Sequence, residues 1–299
     1  MTLLSQHEWF RFRYEVKNRS RFISGSSVLK DRMSTSSKYL STEQFLGELI
    51  CLSSKRFLTL EKGTPLWRAQ LGGTPYQPKE NLRVAEDGSE HEIKGFSHRG
   101  FLKPHDCKRM TPFCDKAKEG RVNPKGIPCL YTATTPDTAL TEMKPKAGSF
   151  LSLAKFVTAR ELKVVDFACD PIELDNPEDG PTDQEMDSMI WEDLNDAFSE
   201  PVNDSDDIAD YAPTQIVAEL FKRSGFDGIR YKSKIVEFES PEPLGSPEQA
   251  RDYAEAKRTQ PSDDRGRNVA LFDLESLLRL LGTVPKGSVS KRRTHAALT

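Results

Sequence analysis

The sequence lacks several features that would point at once to a class of function. It has no apolar run near the ~20 residues that a membrane-spanning helix needs, and the segment from Met1 to Arg11 contains no apolar core of a signal peptide. Glycine-rich dinucleotide-binding turns, the P-loop and the His-Glu-x-x-His motif are absent as well. We therefore expect a cytoplasmic protein without a membrane partner, and any nucleotide it binds should not sit on a Rossmann turn.

Cysteine is scarce and poorly placed for either disulfides or metal. The number is odd and no Cys-x-x-Cys pair occurs among Cys51, Cys107, Cys114, Cys129 and Cys169. This pattern indicates reduced thiols rather than a disulfide framework. The nearest approach to a metal cluster is His105 with Cys107 and Cys114, which has no fourth ligand at a zinc spacing. We therefore expect no metal site.

Basic residues are missing from one long stretch. Between Asp170 and Asp210 there are 16 acidic residues and no Lys or Arg, so the rest of the chain has 30 acidic against 43 basic residues. Although the formal net charge is −3, the chain outside residues 170–210 is therefore basic and would attract an anionic ligand. The acidic stretch itself could be a disordered insert, a counter-charge or a partner-binding lid. Apolar residues at helical spacing between Met186 and Phe198 also allow a docked helix there.

The most informative segment runs from Gly120 to Glu142. A turn signal at Asn123-Pro124-Lys125-Gly126 precedes the strand-like run Cys129-Leu130-Tyr131-Thr132-Ala133. Thr135 then reads as an N-cap with Pro136 at the first helical position, so a helix should start near Pro136. The segment presents an arginine fork suited to phosphate, an aromatic ring with a polar tip, and a carboxylate, in the side chains of Arg121, Tyr131 and Glu142.

This segment resembles the central motif of the RES-domain family, which is Gly-Arg-x-Asn-Pro-x-Gly-x-Pro-x-Leu-Tyr-x-Ala-x-x-Pro-x-Thr-Ala-Leu-x-Glu. Three shorter pieces agree in the right order, so the resemblance spans roughly residues 63–275. They are Leu66-Trp67-Arg68-Ala69, Gly228-Ile229-Arg230-Tyr231-Lys232-Ser233 and Gly266-Arg267-Asn268-Val269-Ala270-Leu271-Phe272. The chain departs from the family in having Trp67 where Tyr or Phe is usual, Val122 where a larger ring is common, and long extra segments.

The resemblance implies an α+β fold with a mono-ADP-ribosyltransferase-like β core, flanking helices and action on NAD. It implies that Arg68 and Arg121 hold the nicotinamide-side ribose and the pyrophosphate, and that Tyr131 stacks on or borders the nicotinamide. Glu142 would act on the ribose, while Ser233, and more weakly Asn268, would help to bind the substrate. NAD is the substrate in this family, so no separate cofactor is expected. Many members are bacterial toxins of toxin–antitoxin pairs.

The chemistry suits these residue types. Cleavage of the nicotinamide–ribose bond leaves positive charge on the sugar, which a nearby carboxylate stabilises, and Glu142 is the motif residue that can do so. The resemblance implies an NAD glycohydrolase or phosphorylase acting as a toxin, or alternatively a mono-ADP-ribosyltransferase that modifies a protein or nucleic acid. An alternative of another class is a non-enzymatic nucleotide- or partner-binding module. An antitoxin partner and a homo-oligomer stay open, whereas the lack of an aromatic-basic platform disfavours nucleic-acid binding.

The sequence also suggests an organisation into parts. Residues 1–62 form a helical N-terminal extension, with one helical pattern near His7–Val16 and another that starts at a capping box of Ser41 and Gln44. Residues 63–285 form the RES-like catalytic part with the acidic insert at about 170–210. Residues 72–116, rich in Gly, Pro and charge, are expected to connect elements over the ligand cleft. Residues 286–299 read as a flexible basic tail.

Overall fold

The computed structural model describes residues 4–21, 40–76, 82–84, 90–92, 101–113, 116–146, 148–168, 182–200, 208–235, 266–273 and 278–286. The expected acidic insert falls partly outside these residues, at 169–181 and 201–207, and so does the basic tail beyond Lys286. The helices in the described ranges are α1 (Gln6–Asn18), α2 (Thr42–Ser53), α3 (Cys107–Met110), α4 (Pro136–Thr141), α5 (Asp183–Ser199) and α6 (Ala212–Arg223), with a 3-10 turn at Ile208–Tyr211 before α6.

Twelve strands accompany these helices in the described ranges, and eight of them form one sheet. The sheet has the order β1-β9-β10-β11-β7-β2-β8-β12, and small two-stranded ladders join β3 to β6 and β4 to β5. The strands are β1 (Phe57–Leu60), β2 (Pro65–Leu71), β3 (Thr74–Tyr76), β4 (Leu82–Val84), β5 (Glu90–Glu92), β6 (Phe101–Lys103), β7 (Leu130–Ala133), β8 (Leu151–Thr158), β9 (Leu162–Asp166), β10 (Gly228–Lys232), β11 (Arg267–Leu271) and β12 (Leu278–Lys286). The expected α+β class is therefore confirmed.

Local signals in the sequence explain how the central motif folds. Pro128 stands just before β7, and Thr135 after it accepts a hydrogen bond from the Thr138 backbone N–H, while Pro136 occupies the first turn. This cap satisfies a donor that the helix would otherwise leave open, and proline costs nothing there because its N–H is not needed. The predicted helix start near Pro136 is confirmed, and the chain leaves the helix at Glu142.

The pairing of β2 with its two neighbours is unequal. It pairs with β8 along all seven residues from Pro65 to Leu71, but with β7 through a single register pair, Trp67 with Ala133. Because Ala133 is the last residue of β7, the rest of β7 is not paired with β2, and the sheet opens between these two strands. β11 lies on the other side of β7 and is paired with it from Asn268 to Leu271.

The N-terminal helices pack onto one side of the sheet. Rings from α1 and α2 stack on one another, with the Phe12 and Phe45 centroids 4.9 Å apart and those of Trp9 and Phe12 5.6 Å apart. The same hydrophobic cluster contains residues of α5, α6 and the strands, including Ile229 of β10, together with Phe167 directly after β9. Both expected N-terminal helices are thus present and share a core with the sheet. The division into parts at residues 62 and 285 stays a prediction.

The described part of the acidic stretch contains a packed helix. α5 starts with a capping box formed by Thr182 and Glu185, and it buries Ile190, Leu194 and Phe198 in the main hydrophobic cluster. The alternative of a docked helix is therefore confirmed for residues 183–199. Among the residues described, no helix is long and apolar enough to cross a membrane.

Candidate active site

The carboxylate of Glu142 is held by two side chains that come from distant parts of the chain. Its Oε1 accepts a hydrogen bond of 2.5 Å from Ser233 Oγ and another of 2.7 Å from Asn268 Nδ2. Both bonds go to the same oxygen. Within the described ranges, no hydrogen-bond donor reaches Oε2, so this second oxygen is the one that can meet a ligand.

Sheet register brings these three residues together. Asn268 in β11 lies opposite Ala133 of β7 on one side and opposite Tyr231 of β10 on the other. Glu142 follows α4, which directly follows β7, and Ser233 directly follows β10. The backbone N–H of Gly266, just before β11, donates to Thr138 Oγ1 in α4 and fixes that helix over the strand ends. The site is therefore built by three neighbouring strands and one helix.

A cavity of about 390 Å³ lies where β2 and β7 diverge, in the lower part of the size range typical of ligand sites. Four of the six residues expected at the site line it: Arg68, Tyr131, Glu142 and Asn268. Ser233 is not among the lining residues, and its connection to the cavity is the hydrogen bond that it donates to the Glu142 carboxylate. The other lining residues are Trp67, Ala69, Gln70, Thr132, Ala133, Ala139, Met143 and Tyr231.

Tyr131 has two functions in this geometry. Its ring lines the cavity, while its hydroxyl donates to Asn123 Oδ1 at 2.7 Å and accepts from the Val122 N–H at 3.1 Å. Burial raises the pKa of Tyr131 well above its ordinary value, so the hydroxyl keeps its proton. The ring thus faces the ligand space and the hydroxyl anchors the loop that carries Arg121.

Arg121 lies outside the set of residues that line the cavity. Its Nε donates to the backbone oxygen of Glu200 at 2.9 Å, and its guanidinium stands 5.2 Å from the centroid of the Tyr211 ring. The side chain is only 10% exposed. The structure therefore turns this arginine toward the end of α5, and the proposed substrate contact of Arg121 stays a prediction.

Arg68 is a buried cation at the cavity. Its Nη1 donates to the backbone oxygen of Met110 at 2.8 Å. Burial and, after it, the positive charge of Arg109 lower the pKa of Arg68 to about 10. In the ranges that the structure covers, Arg68 has no carboxylate partner. A buried charge without a counter-ion is costly, so this position favours an anionic ligand.

Sequence reasoning did not single out Tyr231, Trp67 or Gln70 as site residues. Burial, then the negative charge of Glu142, raise the pKa of Tyr231, and both residues line the cavity. The sequence contained a signal for Tyr231, because residues two positions apart in a strand lie on the same face and Tyr231 is two positions before Ser233. Trp67 Nε1 and Gln70 Oε1 are buried without a hydrogen-bond partner among the described residues. Buried polar atoms are usually hydrogen-bonded, and a ligand in the cavity could supply the partners that these two atoms lack.

Metal-ligating side chains do not cluster among the described residues. No group of three or more His, Cys, Asp or Glu residues with metal-binding geometry occurs in the portion of the chain that is described. Of the candidate cluster, Cys114 lies outside that portion, as does the side chain of Cys107. The expectation of no metal site stays a prediction.

Comparisons with known proteins give one domain match within the chain. No curated protein matches the chain. A solved structure, the MbcT-MbcA toxin–antitoxin complex of M. tuberculosis, is 13% identical, with a TM-score of 0.39 over 80% of this chain and 92% of that one. That similarity is slight, and the assignment rests on a match of residues 99–241 to the RES domain. The matched range includes Arg121, Tyr131, Glu142 and Ser233. Arg68 and Asn268 lie outside this range but line the same cavity as Tyr131 and Glu142. Residues 99–241 thus match the RES domain, the family whose central motif the segment from Gly120 to Glu142 resembles.

Proposed function

We propose that this protein consumes NAD by cleaving the bond between nicotinamide and ribose, as a glycohydrolase or phosphorylase. The observation that carries the proposal is the Glu142 carboxylate, fixed through Oε1 by Ser233 and Asn268 at the wall of a cavity. A carboxylate held in this way needs no reorganisation when positive charge develops on a sugar. Preorganised charge of this kind is often the largest single contribution to catalysis.

The geometry supports a different role for each group of cavity residues. As the bond to nicotinamide breaks, the ribose carbon becomes cationic, and Glu142 Oε2 stabilises it or accepts a hydrogen bond from a ribose hydroxyl. The aromatic walls of Trp67, Tyr131 and Tyr231 suit the flat nicotinamide ring. Arg68 supplies positive charge for the phosphates of the dinucleotide.

The proposed reaction suggests a cellular role as a toxin. Depletion of a central cofactor harms the cell that makes the enzyme, so we propose a toxin that acts on cytoplasmic NAD and is neutralised by an antitoxin partner. The match of residues 99–241 to the RES domain supports this proposal. Transfer of ADP-ribose to a macromolecule would share the cleavage step and differ in the acceptor, so analysis of the products separates the two reactions.

The test is incubation of the purified protein with NAD, with and without phosphate, and identification of products by mass. We expect nicotinamide with ADP-ribose, or with a phosphorylated ADP-ribose when phosphate is the acceptor. Glu142→Gln should lower turnover by roughly two to four orders of magnitude while the fold and much of the NAD affinity persist.

A matched control is Asp137→Asn, which removes a carboxylate from the first turn of the same helix and should leave turnover nearly unchanged. Near wild-type turnover of Glu142→Gln would contradict the mechanism. Binding of NAD without any product from the wild-type protein would favour the non-enzymatic module instead.

A further inference from the structure

Tyr231 stands beside both of the residues that hold the Glu142 carboxylate. In the register of β10 with β11 it lies directly opposite Asn268, and such opposed residues have Cβ atoms about 5 Å apart on one face of the sheet. Ser233, two positions later, continues the ladder through its N–H to Gly266 O at 2.7 Å, so its side chain points to the same face. Asn268 and Ser233 both donate to Glu142 Oε1. Tyr231 therefore belongs to the same patch of the sheet, and it lines the cavity together with Glu142.

The ring of Tyr231 is held in place, but its hydroxyl has no partner in the protein. The residue is 8% exposed, and it packs in the main hydrophobic cluster with its ring centroid 6.3 Å from that of Phe198. Among the residues that the structure describes, no group donates to the hydroxyl or accepts from it. Buried polar groups are usually hydrogen-bonded, so an unbonded hydroxyl on a residue of the cavity wall indicates a place for a ligand atom.

The other tyrosine of the cavity wall is bonded differently. The Tyr131 hydroxyl is occupied by Asn123 Oδ1 and the Val122 N–H, so it serves the protein. Of the two tyrosines that line the cavity, Tyr231 is the one whose hydroxyl is left for a ligand. Burial, and after it the negative charge of Glu142, raise the pKa of Tyr231. The hydroxyl therefore keeps its proton and can donate it in a hydrogen bond.

We propose that Tyr231 is a further substrate-binding residue, whose hydroxyl donates a hydrogen bond to a hydroxyl of the nicotinamide-side ribose. The inference rests on the proposed function and adds a group that recognises the sugar. That ribose carries two adjacent hydroxyls, each of which can donate or accept. An ionised carboxylate only accepts, whereas a protonated phenol can donate. Glu142 Oε2 and the Tyr231 hydroxyl thus form an acceptor and a donor in one cavity wall, which match the two hydroxyls of the sugar.

The proposal separates the two tyrosines by what each hydroxyl supports. Tyr231→Phe keeps the ring and its packing against Phe198 and removes a hydroxyl that no described residue uses. Its midpoint of urea unfolding should therefore equal that of the wild type. Tyr131→Phe should lower the midpoint, because Asn123 and Val122 lose their partner.

The experiment measures the Kd of ADP-ribose and of ADP by titration calorimetry in the full chain. ADP-ribose carries the ribose in question, and ADP has the same adenosine and diphosphate without it. We expect Tyr231→Phe to raise the Kd of ADP-ribose about three- to tenfold, the scale of one neutral hydrogen bond, and to leave the Kd of ADP unchanged. The control is Tyr14→Phe, at a half-exposed tyrosine on α1, which should change neither Kd.

Several results would overturn the inference. An unchanged Kd for ADP-ribose in Tyr231→Phe would do so, and so would equal weakening of ADP-ribose and ADP, or a wild-type protein that does not bind ADP-ribose. A lowered urea midpoint of Tyr231→Phe would show that the hydroxyl serves the fold instead. Failure of the proposed function is a different result: a wild-type protein that binds ADP-ribose but forms no product from NAD.

Discussion

At the scale of single residues, hydrogen bonds between side chains orient the polar groups of the site. Glu142 takes its orientation from Ser233 and Asn268. Tyr131 holds Asn123, which in turn donates through Nδ2 to the backbone oxygens of Lys118, Pro124 and Ile127. One tyrosine thus connects the cavity wall to a loop that has no regular structure. A polar network of this kind is stable when every member is satisfied and costly when one is removed.

Tyr131→Phe tests this network. The change keeps the ring in the cavity but leaves Asn123 Oδ1 and the Val122 N–H without their partner, so we expect a loss of about 1–3 kcal/mol of unfolding free energy. Chemical denaturation measures it. Tyr14→Phe, at a half-exposed tyrosine on α1, is the control and should change stability little. If the two substitutions cost the same, the hydroxyl of Tyr131 does not anchor the loop.

At the scale of elements, α5 shows that an acidic stretch can belong to the core. Glu192 and Asp196 are exposed on this helix, whereas Ile190, Leu194 and Phe198 pack inward. The helix also reaches the site, because Asn195 Oδ1 accepts the Lys232 backbone N–H at 2.8 Å, one residue before Ser233. Removal of this helix would therefore disturb both the core and the strand end that positions Ser233.

Leu194→Ala should destabilise the protein by about 2–5 kcal/mol, because a fully buried leucine leaves a cavity that its neighbours cannot fill completely. Glu192→Ala on the exposed side of the same helix should stay within about 0.5 kcal/mol of the wild type. Urea unfolding of the two variants provides the comparison. A mild effect of Leu194→Ala would mean that α5 is only loosely docked.

At the scale of the whole molecule, the N-terminal helices share one hydrophobic cluster with the sheet. Trp9 is 3% exposed and packs with Phe12 and Phe45, while its neighbour Phe10 is 66% exposed. The helices contribute none of the residues that line the cavity. Their contribution is therefore expected to be stability, since the strands they cover would otherwise expose apolar surface to water.

Trp9→Ala and Phe10→Ala are a matched pair for this expectation. Trp9→Ala removes a buried ring and should lower the free energy of unfolding by about 3–5 kcal/mol. We expect this loss to affect the entire fold and not the N-terminal helices alone. The second should have an effect within about 0.5 kcal/mol. Thermal unfolding followed by both far-UV and near-UV circular dichroism measures this. Separate transitions in Trp9→Ala would show that the N-terminal helices unfold independently.

Local features of the fold were predictable because their signals are short-range. The capping box of Ser41 and Gln44 gave the start of α2, and Thr135 with Pro136 gave the start of α4. The helical spacing within residues 186–198 indicated α5 despite its charge. The order of the strands was not predictable in this way. β2 and β7 meet at one residue pair across a long separation in sequence, and no local pattern encodes such a meeting.

The sequence by itself determined the resemblance to the RES domain, the α+β class and the start of the helix before Glu142, because these depend on a motif and on interactions between near neighbours. The tertiary structure decided the site. Ser233 and Asn268 lie 91 and 126 residues from Glu142, and sheet register alone brings them to its carboxylate. It also turned Arg121 toward Glu200 and Arg68 toward the backbone oxygen of Met110. Side-chain direction depends on packing between distant elements, which the linear order of residues does not specify.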